Sequence, residues 1–133
     1  MHVLIVGPAA DASELAGALE RSGLSVELRD DAPRARDGPS EIEEMARDLR
    51  ELESALRGGN LDAVIIASTS AAALAAVLVA TKEGTPVARL EAPGRSANED
   101  SNARLIRRLA DTTLPRQPAA IVEWAGAGYP AGA

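Results

Sequence analysis

The stretch that decides the fold begins with Asp62-Ala63-Val64-Ile65-Ile66 and ends at Leu114. Its first residues are a continuous apolar run, which is typical of a buried strand. An Ala-rich helix follows from Ala71 to Thr81, and the next strand is Val87-Ala88-Arg89-Leu90. Strands that alternate with helices predict right-handed βαβ crossovers and a parallel sheet covered on both faces. Glu91 directly follows the second strand, where open α/β sheets hold their ligands.

The flanking segments continue this alternation. Residues 2–6 and 24–28 predict strands, residues 11–22 and 40–57 predict helices, a last helix starts at Asn98 or Ser101, and residues 119–124 predict a short fifth strand. Asp11 and Ser40 are the expected caps of the first two helices. The sequence therefore predicts one α/β, Rossmann-like three-layer domain with a parallel sheet of four to five strands. Residues 1–114 form this domain, and residues 115–133 form a C-terminal extension with a frayed tail.

Composition excludes several classes of function. The 133 residues include no Cys and a single His, His2, so disulfides and Cys/His metal cages are excluded. The net charge of −6 disfavours nucleic acid and anionic membranes as partners. No secretory signal is visible, and the longest apolar run, residues 71–80, is too short to span a bilayer. We expect a soluble cytoplasmic protein that binds no metal.

The turn after the first strand does not fit a dinucleotide site. Gly7-Pro8-Ala9-Ala10 lacks the second and third glycines of the GxGxxG fingerprint, and Pro8 removes a backbone donor. We therefore expect no NAD, no FAD and no other cofactor. In a parallel sheet the strand ends at Gly7, Asp30, Ser68 and Glu91 share one edge, where any ligand site should lie.

Two groups of polar residues at this edge each have two interpretations. Ser68-Thr69-Ser70 at a helix start is either an anion site or a plain N-cap, and the residues alone favour the N-cap. The charged group of Glu91, Arg95, Glu99 and Asp100 is either a site with acid, base and anion-binding roles or a solvated loop before an acidic helix start. Composition favours the solvated loop.

The helix from Ala71 to Thr81 is apolar nearly all round. Such a helix is buried either beneath other elements of its own chain or in a subunit contact. The second interpretation predicts a homo-oligomer, or a partner chain, that packs on this helix.

Residues 62–114 resemble the non-hydrolysing UDP-N-acetylglucosamine 2-epimerase family. That family carries a strand, a polar turn, an Ala-rich helix, and a Pro-Val strand that ends in Val-Glu-Ala-Gly-Leu-Arg, followed by a Pro-Glu-Glu-x-Asn-Arg helix start. The counterparts here are Pro86-Val87-Ala88-Arg89-Leu90-Glu91-Ala92-Pro93-Gly94-Arg95-Ser96 and Asn98-Glu99-Asp100-Ser101-Asn102-Ala103-Arg104.

The resemblance implies one half of a glycosyltransferase-B fold, in which UDP-N-acetylglucosamine lies between two domains and carbon 2 of the sugar is inverted. It implies catalytic roles for Glu91 and Glu99. It also implies a ligand-binding set at the same edge: Gly7, Ser68, Thr69, Ser70, Arg95, Asn102 and Arg104.

The motifs also depart from the family. The family's Gly-Thr-Arg-Pro-Glu turn is Gly7-Pro8-Ala9-Ala10-Asp11 here and holds no arginine, and the family's Gly-Asp-Thr aspartate falls on Thr69. The resemblance covers one of the family's two domains, and we expect this chain to act without the second. The leading hypothesis is thus a stand-alone epimerase-like domain, non-catalytic by itself, that binds a ligand or a partner at the sheet edge. UDP-N-acetylglucosamine or another nucleotide sugar is the candidate ligand that the resemblance implies. The alternatives are an epimerase subunit whose cleft another chain completes, and a structural dimerisation domain without ligand.

Overall fold

The computed structural model of the chain describes residues 1–32, 40–91 and 101–132. Strands and helices alternate along these residues. The elements are β1 His2–Gly7, α1 Ala9–Arg21, β2 Ser25–Asp30, α2 Glu41–Arg57, β3 Ala63–Ile66, α3 Ala71–Glu83, β4 Val87–Leu90, α4 Ser101–Leu109, β5 Thr112–Leu114 and α5 Pro118–Gly126.

The strands form one sheet in the order β2-β1-β3-β4-β5, and every pairing is parallel. Val3 on β1, for example, is in register with Val26 on one side and Ala63 on the other. This arrangement confirms the predicted α/β, Rossmann-like fold with a parallel sheet.

Helices cover both faces of the sheet and bury two apolar clusters. On one face, Val64 packs with Leu52 of α2, Val77 of α3 and Ile106 of α4. On the other, Ile65 packs with Leu19 of α1 and Ile121, Trp124 and Ala125 of α5. Consecutive strand residues point to opposite faces, which is why β3 is apolar throughout. We call the side of the sheet that packs against α2, α3 and α4 the α3 face, and the side that packs against α1 and α5 the α1 face.

The apolar helix α3 is buried within this chain. Eight of its thirteen residues are buried, and they pack against the sheet, α2 and α4. Burial of these apolar side chains within the same chain gives no support to a subunit contact through this helix, which stays a prediction. The first interpretation of the helix, as a core element, is confirmed.

The C-terminal segment differs from its prediction. Residues 119–124 belong to helix α5 rather than a strand, with Pro118 at its first turn, and the fifth strand is Thr112–Leu114 instead. Pro fits an N-terminal helix position because it lacks only an N–H that would be unpaired there. After α5, the Trp124 Nε1 donates to the Pro130 carbonyl at 2.9 Å and the Gly132 N–H donates to the Asp111 carbonyl at 2.8 Å. The expected frayed tail is thus folded onto the domain up to residue 132, whereas the boundary at residue 114 stays a prediction.

Helix starts were predicted with mixed success. Pro8 is the N-cap of α1 and Asp11 lies inside the first turn, so the predicted Asp11 cap is wrong. Ser40 does cap α2, because its Oγ accepts from the Glu43 N–H at 3.2 Å. The apolar spacing along α2 predicts Ile42 on its buried face, whereas this side chain is 72% exposed. Ile42 lies in the first turn of α2, and the buried residues of this helix, Leu52 and Leu56, lie towards its C-terminal end.

Candidate functional site

The carboxyl ends of the strands form one edge of the sheet and carry the residues that the sequence singled out. Gly7 ends β1, Asp30 ends β2, Ser68 follows β3 and Glu91 follows β4. The chain leaves β1 in one direction along the sheet and β3 in the other. Ligands of open α/β sheets bind at such a switch point, outside the carboxyl ends of the two strands. The candidate site therefore centres on the turns after β1 and β3.

Gly7 and Ala67 bring these two turns into close contact. A Cβ atom on Gly7 would lie 2.9 Å from the Cβ of Ala67, closer than real carbon atoms approach. The Ala67 N–H donates to the Val6 carbonyl at 2.9 Å and fixes the turn after β3 against β1. Glycine is thus required at position 7 for steric reasons, even though the site has no GxGxxG fingerprint.

The turn after β3 leads into the N-terminus of α3 and carries three hydroxyls. Ser70 is the N-cap, and its Oγ accepts from the Ala73 N–H at 3.1 Å. The Oγ atoms of Ser68 and Ser70 are 3.1 Å apart, and Thr69 is exposed. The plain N-cap interpretation is correct for Ser70. The remaining free N–H groups of the first turn and the helix dipole still favour a negative group at this end of α3.

Arg89 adds a positive charge on the α3 face, and it is absent from the predicted site residues. Val87 packs in the α3-face cluster whereas Ala88 and Leu90 pack on the α1 face, so by alternation Arg89 points to the α3 face. It is in register with Ile66, the last residue of β3. Its Nε is buried and has no hydrogen-bond partner among the described residues. An arginine inside an otherwise apolar strand was the signal that could have identified it.

Arg116 ties two of the strand ends together. Its Nη2 donates to the Ala67 carbonyl at 2.7 Å, and its Nε donates to the Glu91 carbonyl at 2.7 Å. The Glu91 N–H in turn donates to the Leu114 carbonyl at 2.9 Å. No sequence motif could reveal this role, because the partners of Arg116 are backbone oxygens that any residue supplies.

A cavity of about 430 Å³ opens beside Arg116 on the α1 face. We call it the α1 cavity. Its lining comprises Asp11, Glu14, Leu15, Ala18 and Arg21 of α1, Ala67 and Leu90 at the strand ends, and Arg116 and Pro118. Ala67 and Leu90 are nearly fully buried and form its apolar floor. The α1 cavity and the N-terminus of α3 thus lie on opposite faces of the same sheet edge.

The predicted site residues divide into two groups. The structure brings Gly7, Ser68, Thr69, Ser70 and an exposed Glu91 to one edge. Asn102 and Arg104 lie in the first turns of α4. A crossover helix runs antiparallel to the strands, so these first turns lie at the carboxyl edge of the sheet as well. Arg95 and Glu99 lie outside the described residues, so their predicted anion-binding and catalytic roles stay predictions.

In the described part of the chain, no group of three or more His, Asp or Glu side chains is placed to hold a metal ion. None of the helices in these ranges is both long and apolar enough to cross a membrane.

Comparison with solved structures identifies proteins that share this fold. No protein-family model and no curated protein matches the sequence. A Staphylococcus aureus MnaA–UDP structure superposes with a TM-score of 0.72 at 20% identity, covering 94% of this chain and 42% of the other. The UDP-GlcNAc 2-epimerase of Methanocaldococcus jannaschii, solved with UDP-GlcNAc and UDP, gives 0.71 at 20% identity, covering 95% and 44%.

A structure of another kind shares the architecture. The N-terminal domain of a response regulator/sensory box/GGDEF protein from Carboxydothermus hydrogenoformans superposes with a TM-score of 0.63 at 15% identity, covering 97% of this chain and 94% of that one. At such identities the similarity shows the fold alone. The chain spans about two-fifths of the length of the solved epimerases. The predicted resemblance is confirmed at the level of fold: the chain has the architecture of one half of a UDP-GlcNAc 2-epimerase.

Proposed function

We propose that this chain is an epimerase-like half domain that binds a nucleotide sugar at the carboxyl edge of its sheet and does not catalyse epimerisation by itself. UDP-N-acetylglucosamine is the ligand that the similar solved structures favour, since a Methanocaldococcus jannaschii enzyme of this fold was solved with it. The observation that carries the proposal is the N-terminus of α3 at the switch point between β1 and β3.

Three features of this edge suit a diphosphate. The first turn of α3 offers N–H donors and the positive end of a helix dipole. Ser68 and Thr69 add hydroxyls beside it, and Arg89 adds a guanidinium on the same face. A guanidinium is the side chain best suited to a phosphate group because its planar N–H donors match the phosphate oxygens.

The lack of catalysis rests on the residues that the family motifs require. The turn from Gly7 to Asp11 has no arginine, and Thr69 stands where the family carries an aspartate. A half domain also leaves one side of its ligand in water, and an elimination reaction requires a site that excludes water.

Calorimetry with UDP-N-acetylglucosamine and UDP tests the binding. Both ligands should bind the purified chain, and Arg89→Gln should weaken both by about tenfold, because each carries the diphosphate that Arg89 would face. Arg108→Gln, an exposed arginine of α4, is the matched control and should leave binding unchanged. The binding proposal fails if neither ligand gives heat at millimolar concentration, or if the two variants behave alike.

A second test addresses catalysis. The chain, incubated with UDP-N-acetylglucosamine, should give no C2 epimer in the proton NMR spectrum of the sugar. Epimer formation by the pure chain would overturn the non-catalytic part of the proposal.

One observation favours a second candidate, an epimerase subunit completed by another chain. The similar solved epimerases are more than twice as long as this chain, which covers 40–44% of their length. A partner chain would then co-purify with it from its source and restore epimerisation. Strictly monomeric behaviour without a co-purifying protein would eliminate this candidate.

A further inference from the structure

The α1 cavity is lined by different kinds of charged groups from the carboxyl edge at α3, where the nucleotide sugar is proposed to bind. Its charged lining consists of two carboxylates, Asp11 and Glu14, and two guanidinium groups, Arg21 and Arg116. The two carboxylates and the two guanidinium groups balance one another, so this lining suits a zwitterion better than it suits a diphosphate, which carries negative charge alone. Its volume of about 430 Å³ falls within the range of small-molecule sites.

Acidic, apolar and basic residues occupy different parts of the lining of this cavity. Asp11, Glu14, Leu15, Ala18 and Arg21 recur at spacings of three and four along α1 and so share one helix face. The carboxylates come from its first two turns, and Leu15 and Ala18 continue the apolar floor formed by Ala67 and Leu90. The cavity thus combines two carboxylates, an apolar surface and two guanidinium groups in its lining.

Arg116 faces the cavity in a fixed position. Its Nε and Nη2 are held by two backbone carbonyls at 2.7 Å each, and neither partner neutralises its charge. No carboxylate in the described ranges forms an ion pair with it. Nη1 therefore remains a charged donor on a pre-oriented guanidinium, which favours the binding of a carboxylate.

We propose that the α1 cavity is a binding site for a free α-amino acid with an apolar side chain. The ligand carboxylate pairs with Arg116, its ammonium lies between Asp11 and Glu14, and its side chain packs on Leu15, Ala18 and the floor. This pairing matches each charge of a zwitterion to an opposite charge of the lining. This cavity is separate from the carboxyl edge at α3. The amino-acid proposal and the nucleotide-sugar proposal can therefore each fail without the other.

The probe for this site is L-leucine, titrated into the full-length ¹⁵N-labelled chain and followed by amide shifts. Saturable shifts are expected along α1 and at Arg116, Gln117 and Ala119, with the amides of Ser68 to Ser70 unmoved. Leucinamide, which lacks the carboxylate, and 4-methylpentanoate, which lacks the ammonium, should each bind about tenfold more weakly or worse. Equal binding of leucine and either analogue would overturn the proposal, as would the absence of shifts at about 10 mM leucine.

A variant of α1 provides the complementary test. Asp11→Asn with Glu14→Gln removes both carboxylates from exposed positions, so the fold should persist and its amide spectrum will verify this. Leucine affinity should fall by about tenfold or more, while 4-methylpentanoate should bind no worse than it does to the natural chain. Glu20→Gln, an exposed carboxylate on another face of α1, is the matched control. Unchanged leucine affinity in the double variant would overturn the proposal.

Discussion

Arg116 donates from Nη2 to the Ala67 carbonyl at 2.7 Å, joining residues that are 49 positions apart in the sequence. The same guanidinium binds the Glu91 carbonyl through Nε. One side chain thus holds the turns after β3 and β4, which lie at the carboxyl edge of the sheet beside the α1 cavity.

Arg116→Met should lower the free energy of unfolding by about 1–2 kcal/mol, because two carbonyls lose a charged donor at a partly solvated position. Urea unfolding followed by Trp124 fluorescence measures this change. Arg108→Met is the control, since Arg108 is exposed on α4, and it should change stability by less than about 0.5 kcal/mol. Equal effects of the two variants would contradict the role of Arg116.

Gly7→Ala should destabilise the fold by about 1–3 kcal/mol, because the new methyl group would lie 2.9 Å from the Cβ of Ala67. Ala67→Gly in the same chain should restore part of this loss, and a double-mutant cycle in urea measures the coupling. Gly126→Ala is the control, since no atom lies within 4 Å of its added Cβ. Additive effects at positions 7 and 67 would show that the two turns do not touch.

Ser70→Ala should cost about 1 kcal/mol of stability, because the Ala73 N–H loses its side-chain acceptor at the start of α3. The neighbouring hydroxyl of Thr69 is exposed, so Thr69→Ala should have little effect. Thermal unfolding of the two variants compares them directly. A larger loss for Thr69→Ala would mean that the cap is assigned to the wrong residue.

The ionisation of Tyr129 makes the stability of the fold depend on pH in the alkaline range. Burial, and to a lesser extent the Asp62 carboxylate, raises the pKa of the Tyr129 hydroxyl above its ordinary value of 10.0. The folded chain thus holds this proton more tightly than the unfolded chain does. The stability from this difference is complete below pH 10 and is lost as the pH rises through the folded pKa.

Urea unfolding on both sides of pH 10 should therefore show a fall in stability that Tyr129→Phe removes. Tyr129 is the only tyrosine of the chain, so tyrosinate absorbance follows its ionisation directly. The same alkaline loss in the Phe variant would assign the effect to other groups.

The fold was predictable because its strong signals are local. Apolar runs such as residues 63–66 identify strands that are buried on both faces, and alternation with helices identifies a parallel sheet. The β-branched residues Ile121 and Val122 predict a strand at residues 119–124, whereas Pro118 before them favours the helix start that the structure has. The true β5 has only three residues, too few for a periodic pattern.

The sequence predicted which strand ends meet at the candidate site, but not every residue that lies there. Parallel strands bring Gly7, Ser68 and Glu91 to one edge wherever the loops run, so their meeting follows from topology. Arg116 could not be predicted, because its partners are carbonyl oxygens made adjacent only by folding. The apolar residues Leu105, Ile106 and Leu109 predict one buried face for the last helix, whereas Ile106 is buried and Leu105 is 46% exposed.

The central claim is tested most directly by amide shifts of the ¹⁵N-labelled chain during titration with UDP-N-acetylglucosamine, with UDP alongside. The account predicts saturable shifts at Gly7, at Ser68 to Ser70 and at the first turn of α3, produced by both ligands. Shifts spread over the surface, or none at millimolar ligand, would contradict a nucleotide-sugar site at this edge.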